Sequence, residues 1–438
     1  MSTEPSQGKA RRINLLFDHN PPTDERLILP LFCNRSIELK RGLEGLSEQD
    51  AGGKILAIRG LPRSGKSHFA RALLQKAKEE KFPYLFVDVN ANTRGTARSV
   101  LEELFFKLMK LIRDIHPEDA PEGQSGAYEE QLAELAQYES VVGRQSAQFS
   151  LERSSSRRIS HEGGIKLERP PFEIHAVTKA ESEDAERTGV VQNCLTEREL
   201  TELLRYAVDF LGWLYPNQRT LVLVDDLDLL DRKGLEQQPE SELLIDALAT
   251  LAEPPSLSGR PPCLIIATIR NTSYSARDKN YRDFVKLRRL EKSHHLDIYR
   301  RHIKLFNQDI PVFSEDTIQW LIEKLKDRQI GIFLHHCHEA AEYYYTEMKA
   351  GNPISIEQFK AHLEESIRYH LEDPDTSTAI SAVIKAAVED RREIVLDEHP
   401  GPLEDKILHL TGSEKRAYRI EAMYFDAVRA MNDRGELR

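Results

Sequence analysis

The 438-residue chain lacks long apolar runs, paired cysteines and a secretory N-terminus. No segment approaches the ~20 apolar residues of a membrane-spanning helix. The opening residues, MSTEPSQGKARR, lack the apolar core of a signal sequence. The four cysteines, Cys33, Cys194, Cys263 and Cys337, are scattered, which argues against a disulfide framework or a zinc ribbon. These absences predict a soluble cytoplasmic protein with no membrane partner.

The chain also lacks an excess of positive charge, because it has 61 basic and 72 acidic residues and a formal net charge of −11. This balance argues against a protein that coats nucleic acid indiscriminately. The stretch 271–307 is an exception, with ten basic residues (Arg277, Lys279, Arg282, Lys286, Arg288, Arg289, Lys292, Arg300, Arg301 and Lys304) against four acidic ones. It could be a solvated face with internal salt bridges, or it could contact nucleotide phosphates at a subunit interface or a nucleic-acid backbone.

A complete phosphate-binding loop, GxxxxGKS, is present. Its residues are Gly60, Leu61, Pro62, Arg63, Ser64, Gly65, Lys66 and Ser67. The loop lies between an apolar strand-like run, Ile55 to Ile58, and a helix-like run from His68, which is the context that the motif requires. Glycines let backbone N–H groups surround phosphates, the lysine reaches the β and γ phosphates, and the serine hydroxyl coordinates Mg²⁺. We predict ATP and Mg²⁺ as cofactors, with residues 60–68 as contacts.

A second motif is the apolar run Leu221 to Val224, which ends in Asp225 and Asp226. A continuous aliphatic run fits a buried parallel strand, and ligands bind at the carboxyl ends of such strands. We predict that Asp225 and Ser67 hold Mg²⁺. Asp226 would then orient or deprotonate the attacking water as the catalytic carboxylate.

Strand-like and helix-like segments alternate around these motifs. Further apolar strands are predicted at Tyr84 to Val89 and Cys263 to Ile269, with a short fifth strand near Val285 to Leu290. Later periodicity is helical. The fold class predicted is α/β: a P-loop NTPase with a five-stranded parallel sheet sandwiched by helices, followed by a small all-helical lid domain.

We divide the chain into an N-terminal segment (1–30), an ATPase core (31–296), a helical lid (297–370) and a C-terminal helical tail (371–438). Within the core, residues 116–193 are rich in Ser, Glu, Gly and Arg and form a predicted insertion. The insertion is expected to be partly disordered and unable to support the sheet. Its alternating segments 147–151, 165–167 and 172–176 could instead form an exposed β-hairpin.

The cluster His335-His336-Cys337-His338 permits a metal hypothesis, since His335, His338 and Glu339 would share a helix face. The other two residues of the cluster point elsewhere, and no second ligand cluster stands out. We therefore favour a packing or surface role for these histidines.

This order of parts resembles the AAA+ ATPases, in the branch shared by origin-recognition ATPases and STAND signalling NTPases. The stretch Phe32 to Leu39 is similar to the F-x-x-R-x-x-E-L element that helps frame the adenine, which implies a cofactor contact for Arg35. Residues 265–270 are similar to the STAND strand that ends in the sensor 1 arginine. This likeness implies a catalytic role for Arg270, with Asn271 as the alternative. The run Asp225 to Asp228 is similar to that of KAP NTPases, although their membrane helices are missing.

The resemblance covers about residues 28–365 and also implies an arginine finger that one subunit lends to its neighbour. Arg282 is the best match, and Arg277 and Arg288 lie equally near in sequence. Two departures imply slow hydrolysis and altered lid closure. Asp226 replaces the family's glutamate, and residues 328–333 lack the G-x-R sensor 2 arginine.

The resemblance implies a homo-oligomeric, Mg²⁺-dependent ATPase, and two functions stay open. One is a STAND-type switch that assembles with a separately encoded protein partner, for example in bacterial defence. The other is a DNA-handling ATPase, such as a loader, initiator or transposition regulator, that uses the basic segment 277–304. A winged-helix domain after the lid would favour the second function. The acidic, helical pattern of the tail favours the first.

Overall fold

The structure is a computed structural model. It describes residues 16–17, 22, 24–47, 54–61, 63–91, 96–114, 125–152, 164–169, 172–177, 195–215, 217–227, 230, 240–253, 263–270, 280–307, 309–325, 330–396, 400, 403, 407–410 and 417–437. For residues 125–128, 144–152, 164–169, 172–177, 270, 349 and 409–410, only the backbone is described.

The strands are β1 (Ile55–Gly60), β2 (Tyr84–Asn90), β3 (Gly164–Arg169), β4 (Phe172–Val177), β5 (Arg219–Asp225), β6 (Cys263–Arg270), β7 (Tyr281–Lys286), β8 (Glu393–Val395), β9 (Leu408–Leu410) and β10 (Ala417–Ile420). The helices are α1 (Glu25–Leu31), α2 (Ser36–Ser47), α3 (Lys66–Glu79), α4 (Ala97–Arg113), α5 (Ser125–Glu152), α6 (Glu197–Leu214), α7 (Glu240–Ala252), α8 (Lys292–Phe306), α9 (Glu315–Leu325), α10 (Ile330–Tyr343), α11 (Tyr345–Lys349), α12 (Ile356–Glu372), α13 (Ser377–Val388) and α14 (Ala422–Asp433).

A parallel sheet of five strands, in the order β2-β5-β6-β1-β7, forms the centre of the core. Alternate residues of β1 face opposite sides of this sheet. Ile55 and Ala57 pack with α4, α6 and α7, whereas Leu56 and Ile58 pack with α2 and α3. The predicted five-stranded sheet between helices is confirmed. The order places β6 between β1 and β5, so the carboxyl ends of these three strands meet at one edge.

The fifth strand begins earlier than predicted, at Tyr281 instead of near Val285. It is an edge strand paired only with β1, and Arg282, Asp283 and Lys286 are exposed in it. The more apolar residues that follow it suggested the later position. Leu287 does continue the pairing, because its N–H donates to Arg59 O over 2.7 Å.

The predicted insertion contributes to the core. Helix α5 runs through residues 147–151, so the strand considered there is wrong. The other two segments considered for the hairpin lie in β3 and β4, which pair antiparallel. Leu135, Tyr138 and Val142 of α5 are buried in the core beside α4. They recur at helical spacing among polar residues, so the average composition conceals them.

The C-terminal part forms one hydrophobic core from α8 to α14, in which α12 residues such as Phe359 pack with α14 residues such as Tyr424. The division at residue 370 therefore does not separate two cores. The tail is also not helical throughout, because β8, β9 and β10 form an antiparallel sheet in the order β8-β10-β9. These strands have three or four residues each, too few for the alternation that identifies strands. None of the described helices has the length and hydrophobicity needed to cross a bilayer.

Candidate active site

The phosphate loop joins the end of β1 to the start of α3. At Gly60, an added Cβ would lie 2.6 Å from Ser64 Oγ, so the loop leaves no room for a side chain. Gly65 has φ 83°, in the left-handed region that favours glycine. Gly65 is thus favoured by its backbone conformation, and Gly60 by the side chains that pack against it. Pro62 lies outside the described residues.

Lys66 begins α3, and its side chain is buried against the loop. Its Nζ donates to Leu61 O over 3.2 Å and lies 3.5 Å from Gly60 O. Ser64 N–H donates to the same Leu61 carbonyl over 3.2 Å. Phosphate oxygens would give this ammonium group charged acceptors, which form stronger hydrogen bonds than neutral carbonyls. The positive N-terminus of α3 adds to the attraction for an anion.

Asp225 ends β5 with only 3% of its surface exposed. Its Oδ1 accepts hydrogen bonds from Thr268 Oγ1 over 2.6 Å and from Asp226 N–H over 3.1 Å. Burial, and after it the neighbouring Asp226 charge, raise the pKa of Asp225 to about 6, although hydrogen bonds from the hydroxyls of Thr268 and Ser67 oppose the change. Oδ2 is buried and accepts no well-oriented hydrogen bond from the described residues. A divalent cation would supply the missing partner, and carboxylate and hydroxyl oxygens are ligands that suit Mg²⁺.

Asp226 has φ 55°, an uncommon conformation for a residue with a side chain. Its N–H donates to Thr268 Oγ1 over 2.8 Å, and its Oδ2 accepts a hydrogen bond from Asn90 Nδ2 over 3.3 Å. Side chains from β2 and β6 therefore contact Asp225, which ends β5, and Asp226, which follows it. Our sequence analysis did not assign Asn90 or Thr268 to the site. The sequence signal that could have identified these two residues is a polar residue inside, or at the end of, an apolar strand.

Two further predicted contacts lie beside the loop. Arg35 is 5% exposed, and its Nη2 donates to Ser64 O over 2.9 Å. Burial lowers its pKa, and the nearby Glu38 opposes that effect. The ring of His68 is hydrogen-bonded through Nε2 to Ile28 O over 2.8 Å, and burial lowers its pKa. Both side chains thus contact protein backbone, and their contacts with nucleotide stay predictions.

The two predicted arginines that the structure describes, Arg270 and Arg282, lie at different positions relative to the phosphate loop. Arg270 ends β6 and is paired in register with Gly60, so its backbone lies beside the start of the phosphate loop. Arg282 lies inside β7 and not before it, in register with Leu56. It is exposed and about 13 Å along the strand direction from Gly60, so it does not line this chain's own loop. Asn271 and Arg277 fall outside the described residues.

The histidine cluster has packing contacts. His336 is buried against Tyr424, with ring centroids 5.9 Å apart, and His338 Nδ1 lies 2.9 Å from Leu16 O. His335 Nε2 lies 3.5 Å from Glu339. Across the described part of the chain, no group of three or more His, Cys, Asp or Glu residues could hold a metal ion.

No protein-family model matches the chain, and no curated protein matches its sequence. Among solved structures, the chain is similar to the Orc1 protein of Aeropyrum pernix in complex with DNA. The identity is 13%, the TM-score is 0.44, and 98% of each chain is covered. A similarity at this level does not extend to activity or ligands, so function is inferred from the residues themselves.

Proposed function

We propose that this chain is an AAA+-type ATPase that binds MgATP and hydrolyses it slowly, so that its nucleotide state acts as a conformational switch. The observation that carries the proposal is the convergence of Lys66, Asp225 and Asp226 at one edge of the sheet, produced by the strand order β5-β6-β1. A phosphate cradle beside two carboxylates is the arrangement that phosphoryl transfer to water requires.

Each residue has a defined chemical role in this proposal. Lys66 and the loop N–H groups bind the phosphates, while Ser67 and Asp225 hold Mg²⁺, which neutralises charge that develops on the phosphate oxygens. Asp226 orients the attacking water and accepts its proton. An aspartate reaches less far than a glutamate. Asn90 also donates a hydrogen bond to one carboxylate oxygen of Asp226, so turnover is expected to be slow.

A pair of substitutions tests these roles. Lys66→Ala should abolish ATP binding with little change in the far-UV circular dichroism spectrum, because it removes the cation that meets the phosphates. Asp226→Asn should bind ATP with near wild-type affinity but fail to release phosphate, because Asp225 can still hold the metal. Affinity is measured by calorimetry and hydrolysis by phosphate release. Near-normal affinity in Lys66→Ala would refute the assignment, and equal loss of binding in both variants would refute the division of roles.

A second candidate function, DNA handling, is favoured by the exposed cations that follow β7. Lys286, Arg288, Arg289, Arg300 and Lys304 are exposed and have no ionic partner among the described residues. Other basic residues here are engaged: Lys292 pairs with Glu323 over 2.5 Å, and Arg301 donates to Phe32 O over 3.1 Å.

The C-terminal sheet gives this second candidate little support. A helix-turn-helix reader inserts a recognition helix into the major groove. Between β8 and β9 lie only residues 396–407, which is room for about three helical turns in all. Of these residues the structure describes 396, 400, 403 and 407, where Leu403 N–H donates to Pro400 O over 3.2 Å and Ile407 N–H donates to Leu403 O over 3.0 Å. We therefore place the switch first.

DNA binding through the exposed cations has a clear signature. Affinity for duplex DNA should fall steeply with salt, and each neutralised phosphate adds about 0.9 to the log–log slope. Charge reversal at Arg288, Arg289 and Arg300 should then remove both the affinity and any stimulation of ATP hydrolysis by DNA. Charge reversal at Arg41, Lys54 and Lys81 is a matched control, because these three exposed cations lie outside the basic segment 277–304.

A further inference from the structure

Helix α10 begins directly against the phosphate loop. Gly331 N–H donates to Arg63 O over 3.0 Å. An added Cβ at Gly331 would lie 2.9 Å from Arg63 Cβ and 3.0 Å from Arg63 O. The preceding residue, Ile330, lies 3.9 Å from the Cβ position of Gly65. Only a glycine at position 331 therefore lets the lid helix come this close to the loop backbone.

The loop residue in this contact has an unusual backbone. Arg63 has φ 56°, a conformation that residues with a side chain rarely adopt. Such a conformation persists when its surroundings hold it. Two groups outside the loop do so: Gly331 N–H binds Arg63 O, and Arg35 Nη2 binds the next carbonyl, Ser64 O, over 2.9 Å.

Holding these two carbonyls has a consequence for the phosphate donors. A trans peptide is planar, so its C=O and N–H groups point in opposite directions. Fixing Arg63 O therefore fixes the direction of Ser64 N–H, and fixing Ser64 O fixes that of Gly65 N–H. Ser64 N–H donates to Leu61 O over 3.2 Å and so closes a turn within the loop, whereas Gly65 N–H belongs to the segment whose backbone surrounds phosphates in a GxxxxGKS loop.

We propose that Gly331 is a positioning residue for nucleotide binding, whose main-chain N–H holds the Arg63–Ser64 peptide and with it the loop turn that precedes the phosphate donors. The proposal rests on the proposed ATPase function and adds the route by which the lid senses the nucleotide. Phe333 and Cys337 of the same helix are buried in the C-terminal core. A change in the Arg63 peptide would thereby reach that core through α10, without the sensor 2 arginine that residues 328–333 lack.

The test compares two glycine-to-alanine changes in helices. Gly331→Ala introduces the close contacts, whereas Gly212→Ala places a methyl group on the exposed face of α6, with no atom within 4 Å. Gly331→Ala should weaken ATP binding about tenfold, the equivalent of one buried hydrogen bond. The KM for ATP should rise much more than kcat falls, and the melting temperature without nucleotide should stay near that of Gly212→Ala. A merely structural role would lower that melting temperature and leave KM unchanged.

A second pair of variants acts from the loop side. Arg63→Gly and Arg63→Val both remove the guanidinium group, but glycine accepts φ 56° and a β-branched residue does not. Arg63→Val should lose affinity about tenfold relative to Arg63→Gly. In the Gly331→Ala background, Arg63→Gly removes the Cβ that obstructs the methyl group and should restore at least part of the affinity.

The outcomes separate this inference from the proposed function. If the wild-type protein binds no ATP, the proposed function fails. If it binds ATP and Gly331→Ala binds equally well, the positioning role is wrong and the ATPase proposal stands. Should Gly331→Ala not fold, equal affinity of Arg63→Gly and Arg63→Val overturns the positioning role, because neither variant alters α10.

Discussion

At the scale of single residues, a buried histidine makes the C-terminal core sensitive to acid. His302 is 4% exposed, and its Nδ1 accepts a hydrogen bond from Phe17 N–H over 3.2 Å. Burial lowers the pKa of His302 to about 3, and His68 adds to the effect. In the unfolded chain, a histidine has a pKa of about 6.5. The folded state therefore binds fewer protons than the unfolded state between these two values.

This difference predicts a loss of stability in acid. The stabilisation from neutral His302 is present above pH ~6.5 and is lost progressively as the pH falls toward ~3. His302→Asn keeps a side-chain acceptor for Phe17 N–H but does not titrate. It should reduce the slope of the unfolding free energy against pH in this window by up to the contribution of about one bound proton. Urea unfolding at a series of pH values measures the slope, and an identical slope in the variant would contradict the assignment.

The site residues that were predicted from the sequence and those that were not differ in the sequence separation of their contacts. Lys66, Ser67 and Asp225 belong to local motifs, so their chemistry is visible in a few consecutive letters. Asn90 and Thr268 act on the aspartates only because the sheet order brings β2 and β6 beside β5. Gly331 meets Arg63 across a larger separation. No local pattern encodes such contacts, and they become predictable only once the topology is known.

At the scale of elements, α5 shows that the insertion stabilises the core. Its buried residues face α4, Tyr206 of α6 donates to Glu134 over 3.2 Å, and Arg113 of α4 pairs with Glu139. The expectation that the insertion cannot support the sheet is therefore wrong for the part that forms α5. The hairpin formed by β3 and β4 is the better candidate for removal.

Truncation of one α5 side chain tests this packing. Leu135→Ala should lower the free energy of unfolding by about 2–5 kcal/mol, because Leu135 is fully buried and its removal leaves a cavity. Gln137→Ala, at an exposed position of the same helix, is the control and should change it by less than about 0.5 kcal/mol. Chemical denaturation measures both. A neutral Leu135→Ala would show that α5 does not pack on the core in solution.

The elements predicted well were those with a long, uniform pattern. Strands β1, β5 and β6 are buried on both faces and read as continuous apolar runs. The edge strand β7 and the short strands β8 to β10 carry few apolar residues, so their pairing partners determine them more than their own sequences do. Helix α5 was missed because it lies in an insertion whose overall composition is polar, which hides the helical spacing of its buried residues.

At the scale of the whole molecule, we predict that hydrolysis depends on contact between subunits. Arg282 is exposed on the edge strand β7 and far along that strand from its own loop, a position from which it could reach a neighbour's phosphates. Arg282→Ala should then bind ATP normally but hydrolyse it poorly when assembled. Asp226→Asn lacks the catalytic carboxylate but keeps the arginine.

Mixing the two inactive variants tests this arrangement. In a head-to-tail assembly with random mixing, about one quarter of the interfaces would combine an intact Asp226 with an intact Arg282. An equal mixture should therefore recover up to about one quarter of the wild-type phosphate release. The mass of the complex, measured with a slowly hydrolysed ATP analogue, confirms that subunits have assembled. An inactive mixture of assembled subunits would exclude Arg282 as the shared cation.

The burial of Leu16 and Phe17 in the C-terminal core has a consequence for the order of folding. Phe17 contacts His302 at a sequence separation of 285 residues, and Leu16 contacts His338 at 322. During synthesis the N-terminal part of a chain emerges first, yet these two residues can reach their partners only after α8 and α10 have been made. Closing loops of this length carries an entropic cost that local contacts do not have. Leu16 and Phe17 are therefore synthesised long before they can acquire these native contacts.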